Sequence, residues 1–523
     1  MAYNVNSYYI FLLIVMLAYQ LTPRKKRWYI LLAASIAFFL LISKQLIIWC
    51  LITAGITYGI ARIIDRYQCE LKTINRKDKD ARGAVQHRMK RILQLGLLGT
   101  VGILVGLKYT AFTVETVQKV IRQLGGTTSF SIGKILVPVG ISFYTLQAVS
   151  YLLDVYWKRE KAETNFLRVL LFLTFFPTLM EGPILQWSDT KDTLYEGEPI
   201  TWESFSQGGI RIAWGLFKRM IISDRLNTVV TILYLPKNKF TGIMILLTAV
   251  VTTIQLYFEF AGTIDIVIGS ARIFQIRLPE NFRQPFHSQS AAEFWRRWHI
   301  TLGRWFKNYI FYPVTTSNLV KKWNKFGRKK CGKYITMVGT SAMALFPVWI
   351  LNGLWHGPKW PYILYGIYYF IILLAEVALQ PVGAWMRRMI RVSDDNIWIQ
   401  RWHMVRTWGI IITGEMLFRA VSFRQFKRLV CSLFVGPFIP DRIVSNLMSL
   451  KLDLGDWFVV LAGIIIVFVV EYFLEKKPDL LEEIPALPIV PRWSIYYATI
   501  IAILVFGAYG AGYQTVDLIY AGF

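Results

Sequence analysis

Two histidines stand in sequence surroundings suited to chemistry. His299 closes the run EFWRRWH that begins at Glu293. His356 lies in Asn352-Gly353-Leu354-Trp355-His356-Gly357-Pro358, 57 residues further on. An imidazole titrates near neutral pH, at about 6.5 when unperturbed, which suits a general base. Ionisable groups in apolar sequence are costly and mark function by default. The run Ile335 to Leu351 before His356 is apolar, and Gly357, Pro358 and Pro361 break the helical pattern just after the ring. A histidine serving packing alone is expected on an uninterrupted helix, with a hydrogen-bond partner one turn away. The residues alone leave both the structural and the basic role open. Other chemistries lack support: there is no GxSxG elbow, no Walker loop, and no GxGxxG after a strand. His87, His287 and His403 have no matching context, and no HxxxH, HExxH or paired-carboxylate spacing exists. No bound metal is expected.

The elements that must position these rings follow from periodicity. On a helix, Trp295, His299, Phe306 and Ile310 share one face, and Arg297, Thr301, Arg304 and Asn308 another. An amphipathic helix is therefore predicted over 293–314. Its arginines either meet lipid phosphates at the interface or open on a cavity and hold an anionic donor, such as a phosphopantetheine or nucleotide group. Between the histidines, Lys321, Lys322, Lys325, Arg328, Lys329, Lys330 and Lys333 occur with no acidic residue. That run predicts a cytoplasmic loop serving topology and headgroup contact.

Composition sets the class. The 523 residues are 55% hydrophobic and 17% charged, with mean hydropathy +0.42, against about 25% charged for soluble domains. This is an all-α polytopic membrane protein, and its 19 Trp and 27 Tyr can supply interfacial belts. The net charge of +27 does not indicate nucleic acid, because the basic residues fall in short segments between apolar spans. Four scattered cysteines, Cys50, Cys69, Cys331 and Cys431, suggest neither disulfides nor a metal. The first apolar run, Tyr8 to Leu21, is followed by Arg24-Lys25-Lys26-Arg27 and reads as a retained span with the N-terminus outside. A basic loop over 65–91 gives the same orientation, with loops 321–333 and 387–401 also inside.

Further spans are expected near 28–43, 45–64, 93–113, 135–156, 166–184, 205–222 and 241–262. Later ones follow near 361–380, 403–422, 427–439, 456–474 and 495–513. Eleven to fourteen transmembrane and re-entrant segments in a single membrane domain, 1–523, result. Pro and Gly in VPVGISFYTLQAVSYLLDVY and FFPTLMEGPI predict irregular backbone lining a cavity. The polar stretch Tyr257 to Phe286, with Glu259, Asp265, Arg272 and Arg277, reads as re-entrant or interfacial. No internal repeat is evident, which weighs against a transporter.

Taken together, PVGISFYTLQAVSYLLDVY, FFPTLMEGPI, GGIRIAWGLFKRMIISDRL, YFEFAGTIDIVIGSARIF, LPENFRQPF, EFWRRWHITLGRWFKNYIFYPV, NGLWHG and GEMLFRAVSF resemble the membrane-bound O-acyltransferase (MBOAT) family. The likeness runs over about residues 137 to 425. It is strongest to the bacterial branch of alginate O-acetylation and teichoic-acid D-alanylation. The chain reads Glu259-Phe260-Ala261-Gly262-Thr263-Ile264-Asp265 where relatives more often read D-F-S-G-Y-S-D, keeping Asp265.

The resemblance implies a ring of helices around a central cavity, with His356 in the nearly invariant position and His299 in the second. The reaction it implies is acyl transfer, acetyl or D-alanyl, from an acyl thioester donor on the cytoplasmic side. The donor would be acetyl-CoA or an acylated carrier protein, with no tightly bound cofactor. The acceptor would be hydroxyls of an exported polysaccharide or wall polymer, reached directly or through an extracytoplasmic transferase or esterase partner. His356 would accept the hydroxyl proton, and His299 would orient the donor or pass the proton. Asn352, Trp298 or Arg297 would face the oxyanion, while Trp355, Asp265 and Arg304 complete the substrate-binding set. A flippase of a lipid-linked saccharide, using the arginines as a headgroup site, is the alternative from another class, and an inactive scaffold is a third.

Overall fold

The computed structural model describes residues 3–509 apart from 128–132, 134, 236–239, 390, 392, 394 and 440–442. Among the described residues all regular structure is helical, and the one β pairing is an isolated antiparallel bridge, Phe282 to Trp298. Among the described residues seven helices are long and apolar enough to cross a membrane, and Asn6–Leu21 and Phe166–Thr178 are shorter apolar helices. Packing divides the chain into two compact units. One holds the described residues up to Gly209 with Val267–Pro279, and the other holds Ile210–Ile266 with the described residues from Glu280 on.

In the first unit, α1 (Asn6–Leu21), α2 (Arg27–Ser43), α3 (Ile47–Thr73) and α4 (Lys79–Lys108) follow one another. Lys44 turns the chain between α2 and α3 with φ +47°, at the boundary between the spans expected near 28–43 and 45–64. The basic stretch 65–91, expected as a loop, is mostly helical. The ends of α3 and α4 leave only 74–78 outside, and Asp78 caps α4 by accepting from the Ala81 N–H. Lys, Arg, Glu, Gln and Ala are good helix formers, so the helix outlasts its apolar part.

The helix α5 (Ile141–Tyr156) starts after Gly140 at φ +79° and is almost wholly buried. After α6 (Phe166–Thr174) the chain runs irregularly through a buried stretch, with one short turn at Phe176–Thr178. Protein groups satisfy its backbone: Phe176 N–H donates to Ser35 Oγ and Met180 N–H to Tyr3 Oη. The FFPTLMEGPI segment is thus irregular and enclosed, as its prolines and glycine predict.

The long helix α8 (Ile243–Ile273) follows α7 (Trp202–Leu216) and a π-helical turn, Phe217–Ser223. The expectation of a re-entrant element over 257–286 is corrected, because residues up to Ile273 continue α8 without a break. Its polar groups face protein partners instead of lipid, with Glu259 and Asp265 both buried. Beyond lie α9 (Ala291–Arg297), α10 (Ile300–Phe306), α11 (Asn318–Lys330), α12 (Gly332–His356), α13 (Trp360–Met389) and α14 (Ile397–Arg419). Then come α15 (Phe423–Ser432), α16 (Leu454–Lys476) and α17 (Ile489–Phe506).

Three further expectations change here. The basic run after Lys321 is not a loop but the exposed face of α11, whose first turn is capped by Ser317. The span expected over 427–439 is replaced by α15, ten residues long and mostly exposed. Arg424, Lys427 and Arg428 interrupt its apolar residues, so these form one face, with Phe426, Leu429 and Val430 packed inward, and not a spanning run. The continuous helix expected over 293–314 breaks between α9 and α10, at Trp298 and His299.

The helices α12 and α13 cross closely because two glycines meet. A Cβ on Gly353 would stand 2.3 Å from the Tyr362 carbonyl oxygen, and one on Gly366 2.3 Å from the Trp349 carbonyl oxygen. Gly357, at φ +148°, then ends α12 directly after His356.

Candidate active site

His299 occupies an unusual backbone position. It caps α10 in the left-handed region, at φ +46° and ψ +52°, and is 2% exposed. Such conformations cost about 1–3 kcal/mol and collect at functional sites. The surrounding hydrogen bonds impose it. Residues 281–283 run antiparallel to 297–300: Arg283 N–H donates to the Arg297 carbonyl at 2.9 Å and Ile300 N–H to the Asn281 carbonyl at 2.9 Å. A distant segment, LPENFRQPF, thus captures the backbone that local periodicity assigns to one helix. Asn281, fully buried, faces the ring: its Oδ1 lies 3.2 Å from His299 Nδ1. The same oxygen accepts from Thr301 N–H at 3.1 Å and Thr301 Oγ1 at 2.8 Å. His299 Nε2 is buried with no hydrogen-bond partner among the described residues. The ring lies outside the spanning helices, and its burial pushes the pKa well below the ordinary value, which keeps the imidazole neutral.

His356, 6% exposed, is the last residue of α12. Its ring packs edge-on against Phe418 at 4.9 Å and Tyr365 at 5.9 Å, with Tyr362 at 6.2 Å. Trp355 joins the two histidines into one cluster, since its ring centroid is 5.5 Å from His299 and 5.0 Å from His356. Phe260 of α8 closes on His299 at 4.9 Å. Asn352 lies one turn before His356, buried, with Oδ1 unpartnered among the described residues. The structure therefore gathers His299, Trp355, His356 and Asn352 into one buried aromatic setting.

The remaining candidates go elsewhere. Trp298 is buried in an aromatic stack, 5.3 Å from Phe294 and 5.1 Å from Phe282. Arg297 is engaged by Glu293 and Glu475, at 3.0 and 3.2 Å. Arg304 is half-buried on α10. Asp265 is held by Arg211 at 2.7 Å and Lys218 at 3.2 Å. Lys218 also pairs with Glu471 at 3.0 Å, whose Oε1 accepts from Tyr257 Oη at 2.6 Å. These groups line a cavity of about 300 Å³ together with Trp214, Phe282 and Ile300. Neither imidazole lines it, although Ile300 directly follows His299.

Sequence reasoning missed several of these partners. Asn281 had a weak signal, an amide between Pro279 and Phe282 with no obvious task. Glu415 and Arg419 lie within a quoted motif, GEMLFRAVSF, and polar groups in an apolar helix are a warning. Glu415 is buried and accepts from Tyr365 Oη at 3.5 Å, and Arg419 approaches Glu259 at 4.0 Å. Lys218 and Arg219 likewise sit inside an apolar run and are buried. Among the described residues no group of three or more His, Cys, Asp or Glu could hold a metal ion.

Residues 158–414 match the family described as MBOAT, membrane-bound O-acyltransferase family. The chain is 32% identical over 345 residues to the Probable alginate O-acetylase AlgI of Pseudomonas syringae, covering 66% of this chain and 61% of that protein. To the protein of the same name from Pseudomonas putida it is 30% identical over 438 residues, 83% of this chain and 80% of the relative. To the Teichoic acid D-alanyltransferase of Bacillus subtilis it is 29% identical over 295 residues, 55% of this chain and 70% of the relative. With apolar helices long enough to span a bilayer and these matches, the chain belongs to the membrane-bound O-acyltransferase family.

Proposed function

We propose that this enzyme moves an acyl group, acetyl in the preferred reading and D-alanyl in the alternative, from a cytoplasmic thioester to hydroxyls of an exported polysaccharide or wall polymer. The relatives named for alginate O-acetylation and teichoic acid D-alanylation support the acceptor class. The observation that carries the mechanism is the shared aromatic cluster holding His299 and His356 beside a helix end. The hydroxyl oxygen attacks the thioester carbonyl carbon while its proton passes to the His356 imidazole. The C–S bond then breaks, and the proton returns to the departing thiolate. Removing the hydroxyl proton in this way contributes about 10²–10⁴-fold. Asn352, one turn away on the same helix, would donate from its side-chain N–H groups to the developing oxyanion. The N-terminus lies outside and α11 on the cytoplasmic side, where acetyl-CoA or an acylated carrier would arrive. An extracytoplasmic partner would complete delivery where the acceptor is remote.

The test uses membranes holding matched amounts of protein, radiolabelled acetyl-CoA as donor, and label in the polymer fraction as readout. His356→Ala should lower transfer at least about 100-fold while the protein still accumulates. Wild-type transfer by this variant would remove the mechanism. Were the protein a flippase of a lipid-linked saccharide, His356→Ala would slow turnover without abolishing it.

A further inference from the structure

We infer that Asn281 is a positioning residue that fixes His299 as its Nδ1–H tautomer and leaves Nε2 as a proton acceptor. A neutral imidazole carries one N–H, and the partner of each nitrogen decides which one holds it. Which atom of Asn281 faces the ring is therefore decisive, and amide orientation has to be argued from the hydrogen-bond network. Here the backbone settles it. Thr301 N–H can only donate, and it points at the same Asn281 atom, 3.1 Å away. Turning the amide over would set N–H against N–H, so the shared atom is Oδ1. A carboxamide oxygen only accepts, and at 3.2 Å from His299 Nδ1 it requires a proton on that nitrogen. The other nitrogen, Nε2, then carries a lone pair. It is enclosed within the Phe260 and Trp355 contacts with no hydrogen-bond partner among the described residues.

Three features hold the arrangement rigid. Asn281 is fully buried. Its backbone carbonyl accepts from Ile300 N–H at 2.9 Å, so the segments cannot slip without breaking both contacts. The left-handed backbone of His299 aims the ring from a cap position, where a helical residue could not place it.

The consequence deepens the proposed function and rests on it. Of the two tasks open to His299, orienting the donor by hydrogen-bond donation from Nε2 is excluded for the neutral ring. Accepting a proton, from the acceptor hydroxyl or from His356, fits. The protein then has two bases joined through Trp355, one at a helix end and one at a strained cap.

The decisive measurement needs no substrate. The five histidines, His87, His287, His299, His356 and His403, can be labelled with ¹⁵N and ¹³C in the full-length protein in lipid bilayers. Solid-state NMR distinguishes the two tautomers by their ring shifts, and the His299 signals are those absent from His299→Asn. The expected result is a single Nδ1–H form in the wild type, kept in Asn281→Asp and lost from Asn281→Leu. An Nε2–H form in the wild type overturns the inference, as does an unchanged Nδ1–H form in Asn281→Leu. Acyl transfer from acetyl-CoA supplies a second readout. Asn281→Leu should fall at least tenfold while Asn281→Asp stays within a few fold, and equal losses in both also overturn it. Absence of transfer from the wild-type protein would count against the proposed function alone, because the tautomer is read independently.

Discussion

Gly353→Ala tests whether the α12–α13 crossing sets catalytic geometry. The added methyl would lie 2.3 Å from the Tyr362 carbonyl oxygen, 3.2 Å from its carbon and 3.4 Å from the Gly366 Cα. All three are backbone atoms, so no side chain can swing aside. Relief to ordinary contact requires the helices to part by about 1 Å. Two stability effects oppose each other. Alanine favours helix over glycine by about 1 kcal/mol, whereas overpacking costs about 1–3 kcal/mol. The melting temperature in detergent should therefore fall only modestly. Activity is more exposed, because His356 ends α12 while Tyr362 and Tyr365, which pack on its ring, belong to α13. A displacement near 1 Å can cost about 10²-fold in rate. The assay is label transfer from acetyl-CoA in membranes at matched protein amounts, with Gly409→Ala as control. No atom lies within 4 Å of a Cβ at Gly409, so that variant should match the wild type. Wild-type transfer by Gly353→Ala would refute the claim that the crossing holds the site.

Two other outcomes follow from the structure. Glu471→Ala leaves buried Lys218 without one of its two carboxylates, Asp265 remaining, and should destabilise by about 1–3 kcal/mol, read by detergent melting. The double variant Lys218→Met, Glu471→Leu should recover much of the loss, and no recovery would show that the pair does not act as a unit. For topology, a cysteine introduced at exposed Lys329 should react with an impermeant maleimide only after cells are opened. Labelling in intact cells would reverse the proposed orientation.

How much was legible depended on how local each cause is. His356 at a helix end could be read directly, since Gly357 and Pro358 act on the residues beside them. The site around His299 could not. Its helical periodicity is real on both sides, yet hydrogen bonds from Asn281 and Arg283 override it at the histidine. Periodicity carries no information about a partner 18 residues away. The polar half of α8 misled for a related reason: Glu259 and Asp265 look unsuited to a spanning helix until Arg419, Arg211 and Lys218 are brought beside them. Basic stretches read as loops because hydropathy records where apolar sequence ends, while Lys, Arg and Glu continue α3 and α4.

The left-handed backbone at His299 also limits how this position can diverge among descendants of the gene. Among side-chain-bearing residues, Asn, Asp and His enter that region most readily, and β-branched residues scarcely do. A lineage that loses the imidazole by drift therefore has a narrow exit. Asparagine keeps the fold while removing the base, whereas valine or isoleucine strains the chain before activity is even at issue. Within the family, an asparagine at this position would mark changed chemistry on a conserved scaffold, and a β-branched residue would mark a rebuilt loop.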